Sequence, residues 1–226
     1  MMETRKCSFD TLKRFISPDD DSDKIAINGI VMIPFKGEEK EFVILNIGKL
    51  SDGTTYMDIM SKELLLTNIK WKATLDQYYN IRESLFLNYI RSDIIDVLND
   101  QLKYFPDIIQ SAVIDREVSC LDTMSTITGK KTYKTVNIGK VWIPSIYEVF
   151  GQVDCNYDDD PINKQYEYFK NEENRKIGNT GWWLRSTYAF YYKNACFVDF
   201  DGSYSDRVAD TSYSSVLCLR LKLLYS

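Results

Sequence analysis

Histidine is absent from the 226-residue chain, and its absence limits the chemistry that the chain can perform. Ser-His-Asp and Cys-His nucleophile systems need an imidazole base, and imidazole is also the commonest metal ligand. A pair of carboxylates could still hydrolyse a glycoside, but the spacing of the acidic residues indicates no such pair. We therefore expect no catalytic residues and no cofactor, and the sequence predicts a protein that is not an enzyme.

The cysteines and the acidic runs are the other candidates for metal or redox chemistry. The five cysteines are Cys7, Cys120, Cys155, Cys196 and Cys218. They form no CxxC pair, so neither zinc binding nor dithiol redox chemistry is indicated, although one or two disulfides stay possible. Acidic residues cluster at 19–23 and 158–160. We expect both runs to be solvated loops, with cation binding at 158–161 as the alternative, and we predict no metal site.

The charge and hydropathy of the chain limit the kinds of partner that it is expected to bind. The formal net charge is −5, which disfavours nucleic acid as a partner. No apolar stretch approaches the roughly 18 residues that a membrane span needs, so no membrane insertion is expected. Residues 1–13 lack the apolar core of a secretory signal. A virion-associated or cytoplasmic location is therefore expected in preference to classical secretion.

Hydrophobic periodicity predicts the elements that must position any site. An amphipathic segment at the N-terminus precedes several strands, and the clearest helix is expected at residues 88–102, with Ser92-Asp93 as its cap. Ser145 is expected to cap a short helix that ends at Gly151, and Asp201-Gly202 predicts a hairpin. The other predicted strands are 25–35, 41–47, 54–60, 118–127 and 134–143, and the other predicted helices are 106–113 and 165–175.

Two motifs resemble a known family. Residues 181–186 read Gly-Trp-Trp-Leu-Arg-Ser, and residues 142–151 read Trp-Ile-Pro-Ser-Ile-Tyr-Glu-Val-Phe-Gly. Together they resemble bacterial and phage proteins of the C-type-lectin-like, formylglycine-generating-enzyme-like fold, which include the variable proteins of diversity-generating retroelements. The resemblance covers about residues 40–222. The sequence departs from the family's pattern at its last motif, because the family's closing Gly-Val-Arg-Pro is replaced by Ser-Val-Leu-Cys-Leu-Arg-Leu at 215–221.

The resemblance implies an α+β domain of C-type-lectin-like fold, with mixed short strands and two or three helices. Its N- and C-terminal strands would be adjacent, and its C-terminal segment would form the ligand face. Residues 1–39 would be an N-terminal segment, and residues 40–226 the domain, with a display segment at about 186–215. Trp182 and Trp183 would anchor the core beneath the ligand face, and Arg185 would tie loop carbonyls or a carboxylate together. Direct ligand contact by these three residues is the alternative.

The composition of the display segment is that of a binding surface. Tyr, Ser, Asp, Asn and Gly supply 17 of its 30 residues, as in antibody paratopes. Lys193 is its only Lys, Glu, Gln, Met or Trp residue. The family's adenine-directed diversification of AAC or AAT codons cannot produce these five types. The predicted ligand-binding residues are Tyr188, Phe190, Tyr191, Tyr192, Asn194, Tyr204, Asp206, Arg207, Asp210 and Tyr213. The expected partner is a protein or glycan, such as one on a bacterial cell surface.

Other functions are weaker interpretations of the same sequence. A structural or assembly subunit of a phage or bacterial surface structure, without a variable ligand, is the main alternative. A formylglycine-generating oxidase needs a closely placed cysteine pair, and Cys196 and Cys218 are too far apart in the sequence to match that pattern. A calcium-dependent sugar site is disfavoured because the chain has neither a Glu-Pro-Asn nor a Trp-Asn-Asp signature.

Overall fold

The computed structural model of the chain describes residues 6–16, 26–72, 87–90, 92–124, 128, 130–151, 164–187 and 194–224. These residues form a mixed α+β structure in which β-sheet predominates, so the expected fold class is confirmed at this level. Within these ranges no helix is long and apolar enough to cross a membrane.

The first sheet contains strands from both ends of the chain. Its order is β1-β2-β3-β4-β13-β8. The last strand, β13, runs antiparallel to β4, from the pair Cys218–Met60 to the pair Leu223–Thr55. The early strands therefore hold the C-terminal segment in register. The strands are β1 (Lys6–Cys7), β2 (Ile30–Phe35), β3 (Glu38–Lys49), β4 (Thr55–Ser61), β8 (Val141–Trp142) and β13 (Cys218–Leu223).

The pairing of β4 with β13 contains a buried charge pair. Nε and Nη2 of Arg220 donate to the two carboxylate oxygens of Asp58 at 2.7 and 2.9 Å. The guanidinium also lies 3.8 Å from the ring centroid of Tyr56. Asp58 and Arg220 are opposite each other in the strand register. This two-point geometry favours the observed register, since a slip of one residue would bury both charges without partners.

The second sheet is built mainly from the last part of the chain, and its order is β11-β10-β9-β12-β5. A separate two-stranded ribbon is formed by β6 and β7. The strands of the second sheet and the ribbon are β5 (Leu66–Lys70), β6 (Glu117–Met124), β7 (Lys131–Asn137), β9 (Trp182–Thr187), β10 (Asn194–Val198), β11 (Tyr204–Val208) and β12 (Ser212–Ser215).

Short helices pack around the sheets. They are α1 (Phe9–Ile16), α2 (Leu87–Ile90), α3 (Asp93–Asp100), α4 (Asp107–Ala112) and α5 (Ile146–Phe150), with 3-10 helices at Gln101–Tyr104, Glu167–Lys170 and Glu172–Arg175. The helix predicted after Ser145 has the expected bounds. Ser145 accepts a hydrogen bond from the amide of Glu148, and the Glu148 side chain accepts one from the amide of Ser145. This capping box gives hydrogen-bond acceptors to backbone N–H groups that have no acceptor within the helix.

Two predicted helices are interrupted. The helix expected at 88–102 is divided at Ser92, which has extended backbone and hydrogen-bonds to the carbonyl of Tyr89 instead of capping α3 with its side chain. The helix expected at 165–175 is two 3-10 helices, and the side chain of Asn171 between them accepts from the amide of Glu173. Ser and Asn offer the backbone such local alternatives to a continuous helix.

The strand boundaries also differ from expectation. The strand predicted at 134–143 is divided into β7 and β8, because Gly139 takes a positive φ of 88° and donates its amide to the Asn137 side chain. The strand predicted at 25–35 begins only at Ile30, following Asn28 at a φ of 67°. The hairpin predicted at Asp201-Gly202 joins β10 to β11.

Tryptophans form the centre of the core. Trp71, Trp142, Trp182 and Trp183 are each at most 1% exposed. Trp71 Nε1 donates to the carbonyl of Leu184 at 2.9 Å, and Trp183 Nε1 donates to the carbonyl of Ile69 at 3.1 Å. These two bonds connect β9 with the end of β5, although β12 lies between those strands. They therefore fix the spacing of three strands at once.

Replacing Trp183 by alanine should lower the free energy of unfolding by about 3–5 kcal/mol, because a large buried aromatic ring and its hydrogen bond are both removed. Tyr133→Ala is the control, since Tyr133 lies on the ribbon with 40% of its surface exposed. Its cost should stay near 0.5 kcal/mol. Urea melts measure both values, and equal losses would contradict the role of Trp183 in the core.

Candidate functional site

The register of the second sheet decides which side chains share a surface. Residues that pair directly across strands point to the same side. Val198 pairs with both Trp182 and Tyr204, which places these three on one side, here called the Trp182 face. Phe197 pairs with Trp183 and Ser205, which defines the opposite side, the Trp183 face.

The predicted ligand-binding residues do not all share one face. Asn194, Tyr204 and Asp206 lie on the Trp182 face, whereas Arg207 and Tyr213 lie on the Trp183 face. The reason is the two-residue period of a strand, which sends neighbours such as 206 and 207 to opposite sides. Asp210 is exposed in the turn between β11 and β12. Tyr188, Phe190, Tyr191 and Tyr192 lie outside the described residues.

The Trp183 face contains a cluster of three aromatic rings. The centroids of Phe197 and Tyr213 are 4.3 Å apart, and each ring lies 5.3 Å from the ring of Trp183. Trp183 and Phe197 are buried, while Tyr213 is half-buried at the surface. The Phe197 ring packs directly on the backbone of Gly181, where an added Cβ would come within 2.1 Å of it. Only glycine at 181 lets the ring reach this position.

Arg207 and Asp199 add a charge pair to the aromatic cluster. Nη2 of Arg207 donates to Oδ2 of Asp199 at 2.7 Å, and the guanidinium lies 5.5 Å from the Phe197 ring centroid. Nη1 also donates to the carbonyl of Asp206 at 2.9 Å and to the hydroxyl of Ser205. The Arg207 side chain is 36% exposed and that of Asp199 is 24% exposed. The surface therefore offers a fixed planar donor, a carboxylate and an aromatic edge side by side.

The Trp182 face is covered over part of its length. Tyr204 packs edge-on against Phe150 of α5, with ring centroids 6.0 Å apart. Trp182 stacks against Phe169 and donates to the carbonyl of Arg175. These contacts place α5 and the 3-10 helices over this end of the face. They give Tyr204 a packing contact within the structure.

At the open end of the Trp182 face the side chains are more accessible. Asn194 donates its side-chain amide to the carboxylate of Asp206 across the two strands. The neighbouring Val208 is 43% exposed. This polar pair and the exposed valine border the outer side of β11, which is an edge strand of the sheet as far as the described residues show.

The tip of the β10–β11 hairpin exposes a large apolar residue that the sequence prediction did not include. Phe200 is 67% exposed. Its amide donates to Asp199, and the carboxylate of Asp201 accepts from the amide of Ser203 at 2.9 Å. Hydrogen bonds from Ser203 also lower the pKa of Asp201. The predicted Asp201-Gly202 turn contained the signal, because an apolar residue just before a tight turn has no strand face to occupy.

A buried ion network supports the strand that carries the Trp183 face. Nη1 of Arg185 donates to the carboxylate of Glu148 at 2.6 Å and to the carbonyl of Ile143 at 3.3 Å. Arg116 donates to the other oxygen of the same carboxylate. The Ser186 hydroxyl accepts from the amide of Ile146 at 3.0 Å. Side chains from β9 and from α5 therefore hold β9 against the start of α5.

The Glu148 carboxylate stays ionised in this network. Burial raises its pKa, but the charges of Arg116 and Arg185 and the hydrogen bonds from Arg185 and the Ser145 amide outweigh burial. The result is a pKa of about 2. The carboxylate thus provides a permanent negative charge, and its proton affinity is too low for a general acid or base at neutral pH.

The described residues hold no group of three or more His, Cys, Asp or Glu side chains that could bind a metal ion. The acidic run at 158–160 lies outside those residues. Cys7, Cys120, Cys196 and Cys218 are thiols rather than members of disulfides. Burial raises the pKa of Cys218 well above its ordinary value, so its thiol is a poor nucleophile at neutral pH.

The structure defines the chain as an α+β protein whose last strands carry a surface of aromatic and charged side chains. Residues 59–220 match a protein family described as a domain of unknown function, DUF6273, and the chain belongs to this family. The match begins in β4 and ends in β13, so its two ends meet as paired strands of the first sheet. The comparison with curated proteins found no match, and the comparison with solved structures found none.

Glu148→Gln should lower the free energy of unfolding at pH 7 by about 3–5 kcal/mol, because it leaves two buried guanidinium groups without their carboxylate. The folded-state pKa of about 2 lies below the ordinary value of 4.5. The wild-type protein should therefore lose this stabilisation as the pH falls from about 4.5 towards 2, whereas the variant has no such group to titrate. Urea melts between pH 7 and pH 2.5 should show the gap between the two proteins narrowing. If the difference in free energy of unfolding stayed constant over this pH range, it would contradict an ionised Glu148 carboxylate in the folded protein.

Proposed function

We propose that the chain is a ligand-binding display protein of C-type-lectin-like fold that binds a protein or glycan through its C-terminal surface. The observation that carries the proposal is the Trp183 face. It combines the half-exposed ring of Tyr213 with the Arg207–Asp199 pair on a backbone that buried side chains hold in place. Such a preorganised surface loses little conformational entropy when it binds.

The chemistry of this surface suits a mixed polar and apolar ligand. Tyr213 offers a ring edge and a hydroxyl, and these features make tyrosine common in binding surfaces. Arg207 and Asp199 present a donor and an acceptor side by side, which fits a sugar hydroxyl or a peptide group. The exposed Phe200 at the hairpin tip adds an apolar contact beside them.

The proposed fold is supported by two features. The first and last strands of the family match pair with each other, as the closed loop of a C-type-lectin-like domain needs. The Trp-Trp-Leu-Arg-Ser motif forms most of β9, which is buried along its whole length and lies between β10 and β12 in the second sheet. Diversification by a retroelement is part of the same proposal. A near-repeat of the codons for residues 186–215, differing mainly at adenines and lying close to a reverse-transcriptase gene, would support it.

A structural or assembly subunit is the second candidate, favoured by the edge of β11, which pairs with no strand on that side in the part of the chain that the structure describes. Unpaired strand edges pair readily with other chains, and Val208 adds exposed apolar area there. Light scattering of the purified chain distinguishes the two candidates. Assembly that Val208→Lys abolishes would favour the subunit, and a monomer would favour the display protein.

Binding should be tested with the labelled full chain on a glycan array and on a panel of whole bacterial cells. The proposal expects at least one bound target. Arg207→Ala and Tyr213→Ala should each weaken binding to it by about tenfold or more, as hot-spot truncations do. Arg207→Lys keeps the charge and loses the planar donor fork, so it should also weaken binding.

Tyr133→Ala is the matched control, because it removes an exposed tyrosine from the separate ribbon. It should leave the affinity unchanged, and melts should show that each variant is folded at the temperature of the binding assay. Absence of any target, or equal binding by the control and the Trp183-face variants, would overturn the proposal.

A further inference from the structure

The guanidinium of Arg207 is already bound to acceptors of its own hairpin. Nη2 donates to Oδ2 of Asp199 at 2.7 Å. Nη1 donates to the carbonyl of Asp206 at 2.9 Å and to the hydroxyl of Ser205. The positive charge of the Trp183 face therefore has a carboxylate partner before any ligand arrives.

Asp199 is in turn held by the turn that joins β10 to β11. Its Oδ1 accepts from the amide of Phe200 at 2.8 Å. Its backbone amide donates to the carbonyl of Ser203, and its carbonyl accepts from the amide of Gly202, both at 2.9 Å. A ligand that displaced this carboxylate would break hydrogen bonds at both of its oxygens. Asp199 is therefore a fixed neighbour of Arg207.

The charge around this pair is negative. Residues 194–215 contain four aspartates and one arginine, and they contain no lysine. Lys176 contributes positive charge near Asp201, but it is paired with Glu173 at 2.7 Å. A negatively charged ligand that approached Arg207 would thus meet more carboxylates than cations.

The ion pair changes which ligands Arg207 can bind. An arginine without a partner is a common binding group for carboxylates, phosphates and sulfates, because its planar donor fork matches their oxygens. An anion that reached Arg207 would lie beside the carboxylate of Asp199 on the same guanidinium, and like charges at such a distance repel. A hydroxyl or an amide meets no such repulsion, since it can donate to Asp199 while it accepts from Arg207.

We propose that Asp199 is a specificity-determining residue, which makes the Trp183 face accept uncharged ligands and exclude ligands that carry a carboxylate or a sulfate group. The inference rests on the proposed function, because it names the ligand chemistry of the same surface. Its geometric basis is the Asp199–Arg207 pair, whose side chains are 24% and 36% exposed and thus within reach of a ligand.

The test measures binding of a fluorescent heparin tetrasaccharide to the full chain by anisotropy at low salt, where screening is weak. Asp199→Asn removes the repulsion and leaves Arg207 without its counterion, so it should tighten binding by about fivefold or more. Asp199→Glu keeps the negative charge and should bind the tetrasaccharide as weakly as wild type. Thermal melts show that each variant is folded at the assay temperature.

Asp122→Asn is the matched control, because Asp122 is also a surface aspartate paired with a cation. It lies 2.7 Å from Lys134 on the separate ribbon, with side-chain exposures of 35% and 39%. The variant changes the net charge by the same amount, and it should alter tetrasaccharide binding by less than about twofold. Equal gains in the two asparagine variants, or no gain in Asp199→Asn, would overturn the inference. If Asp199 only stiffened the hairpin, its loss would lower the melting temperature without tightening anion binding.

Nuclear magnetic resonance of the wild-type chain gives an answer that requires no folded Asp199 variant. The Nε–Hε signal of Arg207, assigned by its loss in Arg207→Lys, should show no saturable shift when sulfate is added. A saturable shift would overturn the selectivity. A wild-type target that binds through a sulfate or carboxylate group would also overturn it, and would leave the proposed function intact. Absence of any target on the glycan array and the cell panel would count against the proposed function alone.

Discussion

The Glu148 carboxylate connects parts of the chain that are distant in sequence. One oxygen accepts from Arg116, and the other accepts from Arg185 and from the amide of Ser145. Each group is buried, so removing any one would leave a charge or a donor in a low-dielectric interior. This cost allows the start of α5, the strand β9 and the segment before β6 only one relative arrangement. Strands β10 and β12 then pair with a β9 that is already fixed.

Strand alternation is the second constraint, and it divides the last part of the chain between scaffold and surface. β10 lies between β9 and β11, and its residues 195–198 are buried on both faces of the sheet. Among the described strands β11 has a neighbour on one side only, and its side chains are mostly half-exposed. The proposed binding surface would therefore use β11, the hairpin tip and Tyr213, and it would leave residues 195–198 intact.

Local features of the structure could be predicted from the sequence, and pairings between distant residues could not. Ser145, Glu148 and Gly151 have the spacing of a capped short helix, and Asp201-Gly202 has the composition of a hairpin, so each signal lies within a few residues. By contrast, the partner of Glu148 on the ribbon side is Arg116, 32 residues away. No pattern in one sequence connects such residues. The strand register is equally hidden, because the sequence does not show which of the predicted ligand-binding residues share a face of the sheet.

The division between scaffold and surface also determines how much sequence change the display segment can accept. Exchange at an exposed position such as Arg207 or Asp210 alters contacts at the surface and leaves the core packed. Exchange at Phe197 would instead open a cavity against Trp183 and the backbone of Gly181. A diversified version of this segment, as proposed above, could therefore keep its fold only if variation avoided the buried residues 195–198. Adenine-directed change would meet this requirement if the codons for these four residues carry no suitable adenines. The physical requirement of four fixed residues and the proposed mechanism of variation would then make the same demand on the gene.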